Sequence, residues 1–167
     1  MRVCVVGAGF FGLHVANQIQ DNYPHCAIDV LEAQSQPYCG AAFNNQCRLH
    51  LGFHYPRSAY TIYQSILGHD RFVEHYSAAC NPMKLNMYAI HRGGHVSADQ
   101  YFAVMDAFHL DYRRLKSTVF LKKQVEIEAV VAVPEQWIEL AVLRKLMVNE
   151  FNGNIICNSR VSHIDVS

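Results

Sequence analysis

Three glycines that follow a short apolar run constrain this chain more than any other feature. Arg2-Val3-Cys4-Val5-Val6 leads into Gly7-Ala8-Gly9-Phe10-Phe11-Gly12, a G-x-G-x-x-G pattern. The run Val3 to Val6 suits a parallel strand covered on both faces, with Cys4 buried in it. Each glycine then has its own task. The first permits a tight turn, the second lets backbone approach a pyrophosphate, and the third allows close packing of helix and strand. Phosphates would sit at the helix N-terminus, where free N–H groups and the helix dipole favour an anion.

The surroundings agree with that reading. Leu13 to Ile19 continues as a helix, with small Ala16 four residues after Gly12 on the same face. A second strand, Ala27-Ile28-Asp29-Val30-Leu31, ends at Glu32. An acid there can accept hydrogen bonds from the ribose hydroxyls of an adenine dinucleotide and disfavours a 2′-phosphate. The competing reading is a glycine-rich βαβ turn that binds nothing.

Composition narrows the classes. The chain has 167 residues and is 51% hydrophobic, enough for one good core or one domain and part of another. Fourteen basic residues balance fourteen acidic ones, which gives no electrostatic footprint for nucleic acid or an anionic membrane. No apolar run reaches transmembrane length. The apolar start is too short for a signal peptide and is broken by glycines. The six cysteines (4, 26, 39, 47, 80 and 157) show no C-x-x-C spacing. Cys157, like Cys4, is expected in a buried strand, and reduced thiols in a cytoplasmic protein are the expectation.

Farther along, residues 40–58 mix small residues, amides, His50, His54, Arg48, Arg57 and aromatics with no sustained period. An irregular backbone of this kind is usually shaped around something. Ser58 is placed to cap a helix from Ala59 to Leu67, ended by Gly68, with a further helix from Asp70 to Ser77. Leu85 to Ile90 reads as a strand before the turn Gly93-Gly94. Ser97-Ala98-Asp99-Gln100 fits a capping box for a helix to about Leu110. Thr118 to Leu121 and Val125 to Val133 read as strands. Past Pro134, Trp137 to Leu140 leads into a helix with Leu140, Leu143, Leu146 and Met147 on one face. Asn152-Gly153 stops it, and Asn154 to Asn158 reads as a strand. The expected organisation is a first part of a nucleotide-binding domain over 1–81, the start of a sheet-based subdomain over 82–133, and a return to the first domain over 134–167.

Three stretches together resemble the FAD-dependent oxidoreductases of the D-amino-acid oxidase-like superfamily. They are Val5 to Gly12, Val30-Leu31-Glu32-Ala33, and Asn45-Gln46-Cys47-Arg48-Leu49-His50-Leu51-Gly52-Phe53-His54-Tyr55. The likeness is strongest to the glycine oxidase-like and L-2-hydroxyglutarate oxidase-like branch, and it covers nearly all of the chain. It implies an α/β, doubly wound, Rossmann-like FAD-binding domain interrupted by the beginning of an antiparallel substrate-binding subdomain. It implies that Gly7, Ala8, Gly9, Phe10, Phe11 and Gly12 hold the FAD pyrophosphate, Glu32 the ribose, and that Ala33 lies beside the adenine. Ala42, Asn45 and Gln46 would lie near the isoalloxazine. Val161, at the start of a strand after the returning helix, would bond adenine through its backbone. Cys47 falls where that family often has glycine. The implied chemistry is hydride removal from a C–N or C–O bond of a small amino-acid-like or hydroxy-acid-like substrate. The family's chains are far longer, so the resemblance implies the N-terminal part of such an enzyme: a fragment, a truncated product or a split subunit completed by a second chain.

His50, His54 and Arg48 are the candidate catalytic residues. Arg48 and Arg57 can each offer a planar fork to a carboxylate or phosphate. The pairs His50/His54 and His91/His95 have i, i+4 spacing, but glycines and Pro56 interrupt any helix there, so no metal site is expected. Covalent flavin attachment through His50, Cys39 or Cys47 is possible chemistry. No G-x-S-x-G elbow is present, which leaves an acyl-transfer hydrolase without support. Two other function classes fit parts of the pattern: an NAD-dependent dehydrogenase, and a non-catalytic subunit that binds FAD or a partner chain.

Overall fold

The computed structural model describes residues 1–115 and 126–165. The chain divides into two compact units, one made of 1–47 with 139–167 and the other of 48–138.

In the first unit β1 (Arg2–Val6) leads through the glycine turn into α1 (Phe10–Asn22), and β2 (Ala27–Leu31) follows. The two strands pair in parallel, with Val3 opposite Ile28 and Val6 opposite Leu31. A 3-10 turn spans Ala41–Phe43. After the second unit the chain returns as α4 (Leu140–Glu150) and β9 (Asn154–Ile156), and β9 pairs in parallel with β2. The sheet order is therefore β1-β2-β9. Leu13 and Ala16 of α1, Ile28 and Val30 of β2, and Leu143 and Met147 of α4 are buried. The buried Asn17 amide donates to the Met147 carbonyl at 3.1 Å and ties α1 to α4.

Two expectations for this unit change. The first strand is not covered on both faces: Cys4 is exposed and Val6 is 58% exposed, while Val3 and Val5 are half-buried. Among the described residues β1 pairs only with β2, and burial alternates along it as on a strand packed on one side. Cys157 is also not buried and lies just beyond the end of β9. All six thiols are free.

The second unit contains two antiparallel sheets. Short strands β3 (Arg48–Leu49), β4 (Cys80–Pro82) and β8 (Gln136–Ile138) pair in the order β3-β8-β4. Strands β5 (Met87–His91), β6 (Arg113–Leu115) and β7 (Ile127–Ala132) pair in the order β5-β7-β6. Helix α2 (Ala59–Tyr76) opens on Ser58, whose side chain accepts the Thr61 N–H at 3.2 Å. Helix α3 (Ala98–Ala107) opens on a complete capping box of Ser97 and Gln100.

Helix α2 runs unbroken through Gly68, in place of two helices. A glycine in a helix interior costs only about 1 kcal/mol, which packing of the apolar face outweighs. That face also explains why this unit begins at Arg48 rather than near residue 82. Ile62 of α2 is fully buried in one cluster with Phe53, Ile90, Tyr101, Phe102, Met105 and Val131. Strands β3, β4 and β8 were not legible, since runs of two or three residues carry no period. Trp137-Ile138 is strand, and the helix starts only at Leu140. The expected strand Thr118 to Leu121 lies outside the described residues.

Candidate functional site

The glycine turn has the shape its sequence demands. Gly7 takes φ +98°, in the left-handed region. Its N–H donates to the Leu31 carbonyl at 2.7 Å, which closes the turn on the end of β2. A Cβ on Gly12 would lie 1.8 Å from the Gly7 carbonyl oxygen, so helix and turn approach each other only because none is there. Gly9 is the opposite case. A Cβ there would meet nothing within 4 Å, and it precedes α1 as an N-cap with no capping side chain. Backbone at Gly9 is thus open to an incoming group at a helix start that carries no acidic residue in its first turn. Phe10 and Phe11 form that turn, with Phe10 stacked on His14 at 5.9 Å and Phe11 79% exposed.

Glu32 follows β2 directly. One carboxylate oxygen accepts the Ala8 N–H at 2.7 Å and the other accepts the Gln34 N–H at 2.8 Å. The acid therefore braces the glycine turn from beneath. A carboxylate has about four acceptor positions, so two remain for hydroxyl donors. Ala33 is exposed beside it. The main chain around Glu32 is held by Ile156 and Ser159, through bonds of 2.9 and 2.8 Å. Tyr38, buried, donates its N–H to the Ala8 carbonyl at 3.0 Å and fastens the following loop to the same turn.

The loop that carries Ala42, Asn45 and Gln46 is folded on its own hydrogen bonds. Asn45 donates to the Ala42 carbonyl at 3.1 Å and accepts the Cys47 N–H at 2.6 Å. Gln46 is exposed. Cys47 takes φ +52°, a left-handed conformation in which glycine is at ease. This gives a physical reason for a glycine preference at that position, and the turn persists with cysteine. Val161 does not start a strand. It lies in irregular chain beyond β9, and no strand follows within the described residues.

In the second unit Arg48, His50 and His54 gather around Tyr88. The Arg48 guanidinium lies 5.6 Å from the Tyr88 ring centroid, and the His54 and Tyr88 rings are 6.0 Å apart. His50 faces His54 at 5.8 Å and Tyr55 at 6.1 Å. Beneath them sits Glu135, 1% exposed. Its carboxylate accepts from the Leu51 N–H at 3.0 Å, the Asn86 amide at 3.1 Å and the Tyr88 hydroxyl at 2.7 Å, and it lies 3.4 Å from His50 Nδ1. Burial pushes this carboxyl up, but the bonds from His50, Tyr88 and Leu51 outweigh burial and hold it below the ordinary range. Burial, and then the bond to Glu135, push the Tyr88 phenol well above its ordinary value, so it stays a neutral donor. Asn86, Tyr88 and Glu135 were missed in the sequence. The only hint is a lone acid after Pro134 in an apolar stretch, and burial decides its meaning. No group of three or more metal-ligating side chains occurs among the described residues. No described helix is long and apolar enough to cross a membrane.

No protein-family model matches the chain. An FAD-dependent monooxygenase of Fusarium mangiferae is 27% identical over 162 residues, which covers 96% of this chain and 42% of that protein. Among solved structures, the dithionite-reduced L-alpha-glycerophosphate oxidase of Mycoplasma pneumoniae with FAD bound matches with a TM-score of 0.68 at 17% identity, over 96% of this chain and 45% of that one. The glycine oxidase of Geobacillus kaustophilus matches with a TM-score of 0.67 at 11% identity, over 93% of this chain and 46% of that one. The fold is therefore that of the FAD-dependent oxidoreductases which the sequence resembles. The chain spans less than half the length of the relatives it matches.

Proposed function

We propose that this chain is the FAD-binding portion of a flavin-dependent oxidoreductase that oxidises a C–N or C–O bond of a small amino-acid-like or hydroxy-acid-like substrate. The observation that carries the reading is the turn between β1 and α1. Gly9 is open to an incoming group, Gly12 packs against Gly7, and Glu32 braces the turn while keeping acceptor capacity. A pyrophosphate against a helix start and a ribose against an acid are what such a cradle fits.

Gly7, Ala8, Gly9, Phe10, Phe11 and Gly12 would hold the pyrophosphate, Glu32 and Ala33 the adenosine, and Ala42, Asn45 and Gln46 the ring side. Val161 would contribute its backbone to the adenine. Bound flavin supplies the hydride-accepting chemistry. The residues of the second unit would serve the substrate. Arg48 offers a guanidinium fork to a carboxylate, and His50 and His54 offer polar groups for proton transfer or orientation. Such chemistry needs no protein nucleophile.

An absorption spectrum of the purified chain, before and after FAD, tests the reading. Flavin bands that stay with the protein through gel filtration are expected. A colourless chain that ignores FAD, or one that binds NADH in its place, overturns it.

A further inference from the structure

Among the described residues Glu135 is the only charged side chain buried in the core. Its two oxygens divide their donors. Leu51 N–H and His50 Nδ1 face Oε1 at 3.0 and 3.4 Å, while Asn86 Nδ2 and the Tyr88 hydroxyl face Oε2 at 3.1 and 2.7 Å. An ionised carboxylate only accepts. The Tyr88 hydroxyl also lies 3.5 Å from His50 Nδ1, but its single proton is committed to Glu135 at the shorter distance. Nδ1 therefore faces two acceptors and no donor. A neutral imidazole in that position carries its hydrogen on Nδ1, because the partner of one ring nitrogen fixes the state of the other.

We infer that Glu135 is a positioning residue that holds His50 in its Nδ1–H form and leaves Nε2 as the ring's acceptor. The His50 side chain is 30% exposed, and Nε2 makes no hydrogen bond among the described residues. The ring is thus anchored from below and open above. Asn86 and Leu51 N–H take up the remaining capacity of the carboxylate, so the acid has no freedom to turn away. That Nε2 faces a substrate rests on the flavoenzyme reading; the tautomer does not.

Long-range proton–nitrogen correlation spectra of the full chain, labelled with 15N-histidine, read the tautomer directly. The spectrum of His50→Asn identifies the signals of His50. In the unsubstituted chain a protonated Nδ1 and an unprotonated Nε2 are expected in the neutral ring. A neutral ring protonated on Nε2 overturns the inference with no variant needed. Glu135→Ala is expected to shift His50 to the Nε2–H form that free side chains favour, and retention of Nδ1–H there overturns the role of Glu135. Tyr88→Phe keeps the carboxylate and is expected to keep Nδ1–H; a switch in that variant would assign the tautomer to Tyr88 and overturn the inference. A colourless chain with an Nδ1–H His50 removes the flavin reading alone, whereas a yellow chain with an Nε2–H His50 removes this inference alone.

Discussion

The carboxylate of Glu32 accepts the backbone N–H of Ala8 at 2.7 Å, so the acid at the end of β2 supports the glycine turn at the end of β1. Its second oxygen does the same for Gln34. Such charge-assisted bonds to backbone persist without any ligand. Glu32→Ala is expected to lower stability by about 1–3 kcal/mol and to weaken FAD binding as well. A thermal melt and a flavin titration check the two effects. A variant that loses FAD with an unchanged melt would mean that the bracing is idle.

Gly9 and Gly12 are expected to fail differently when changed to alanine. At Gly12 the new Cβ meets the Gly7 carbonyl at 1.8 Å, so the turn must open and stability falls. At Gly9 the Cβ projects into open space, so the fold is kept and only the approach of a pyrophosphate is obstructed. For Gly9→Ala an unchanged melting temperature is expected, with FAD affinity lowered at least about tenfold, or about 1.4 kcal/mol. Equal losses of stability in both variants would contradict this division.

Glu135 predicts an acid limb in the stability of the chain. Its folded carboxyl titrates below the ordinary value of 4.5, so the unfolded chain binds the proton more readily. The stabilisation is complete above the unfolded value and is lost as pH falls through the folded one. Denaturant unfolding followed downward from neutral pH is expected to show a steeper loss in the unsubstituted chain than in Glu135→Gln. Parallel curves would show that the carboxylate contributes no such linkage.

Tyr88 and Tyr101 shift the other way, chiefly through burial. Each phenol stays neutral in the fold beyond its ordinary value of 10.0. Their stabilisation is present below that value and is lost as pH rises through the folded ones. An ultraviolet titration is expected to show two late-ionising tyrosines fewer in Tyr88→Phe/Tyr101→Phe. An unchanged late phase in that double variant would count against the burial argument.

Ile62 sets the place of α2. It is fully buried in the core of the second unit, and Ile62→Ala is expected to cost about 2–5 kcal/mol in chemical denaturation. A cost near zero would mean that the helix does not depend on that core.

The sequence by itself determined the βαβ turn. The glycines act through local backbone sterics, and Glu32, which bonds Ala8 across the parallel strands, falls at a fixed spacing within the one βαβ unit. The caps at Ser58 and Ser97 were legible for the same reason, since a cap is a bond between residues three apart. What lay outside that reach was decided only by tertiary structure. Gly68 looked like a stop, but packing of Ile62 and Tyr76 carries the helix through it. Cys4 and Val6 looked buried, but a strand's second face is buried only when something distant in sequence covers it. Arg48, His50 and His54 were visible as types, yet their grouping around Tyr88 and Glu135 joins residues up to 87 positions apart. No periodicity records such a meeting. A carboxylate's meaning depends on its burial and on which donors reach it, and both come into being only when the chain has folded.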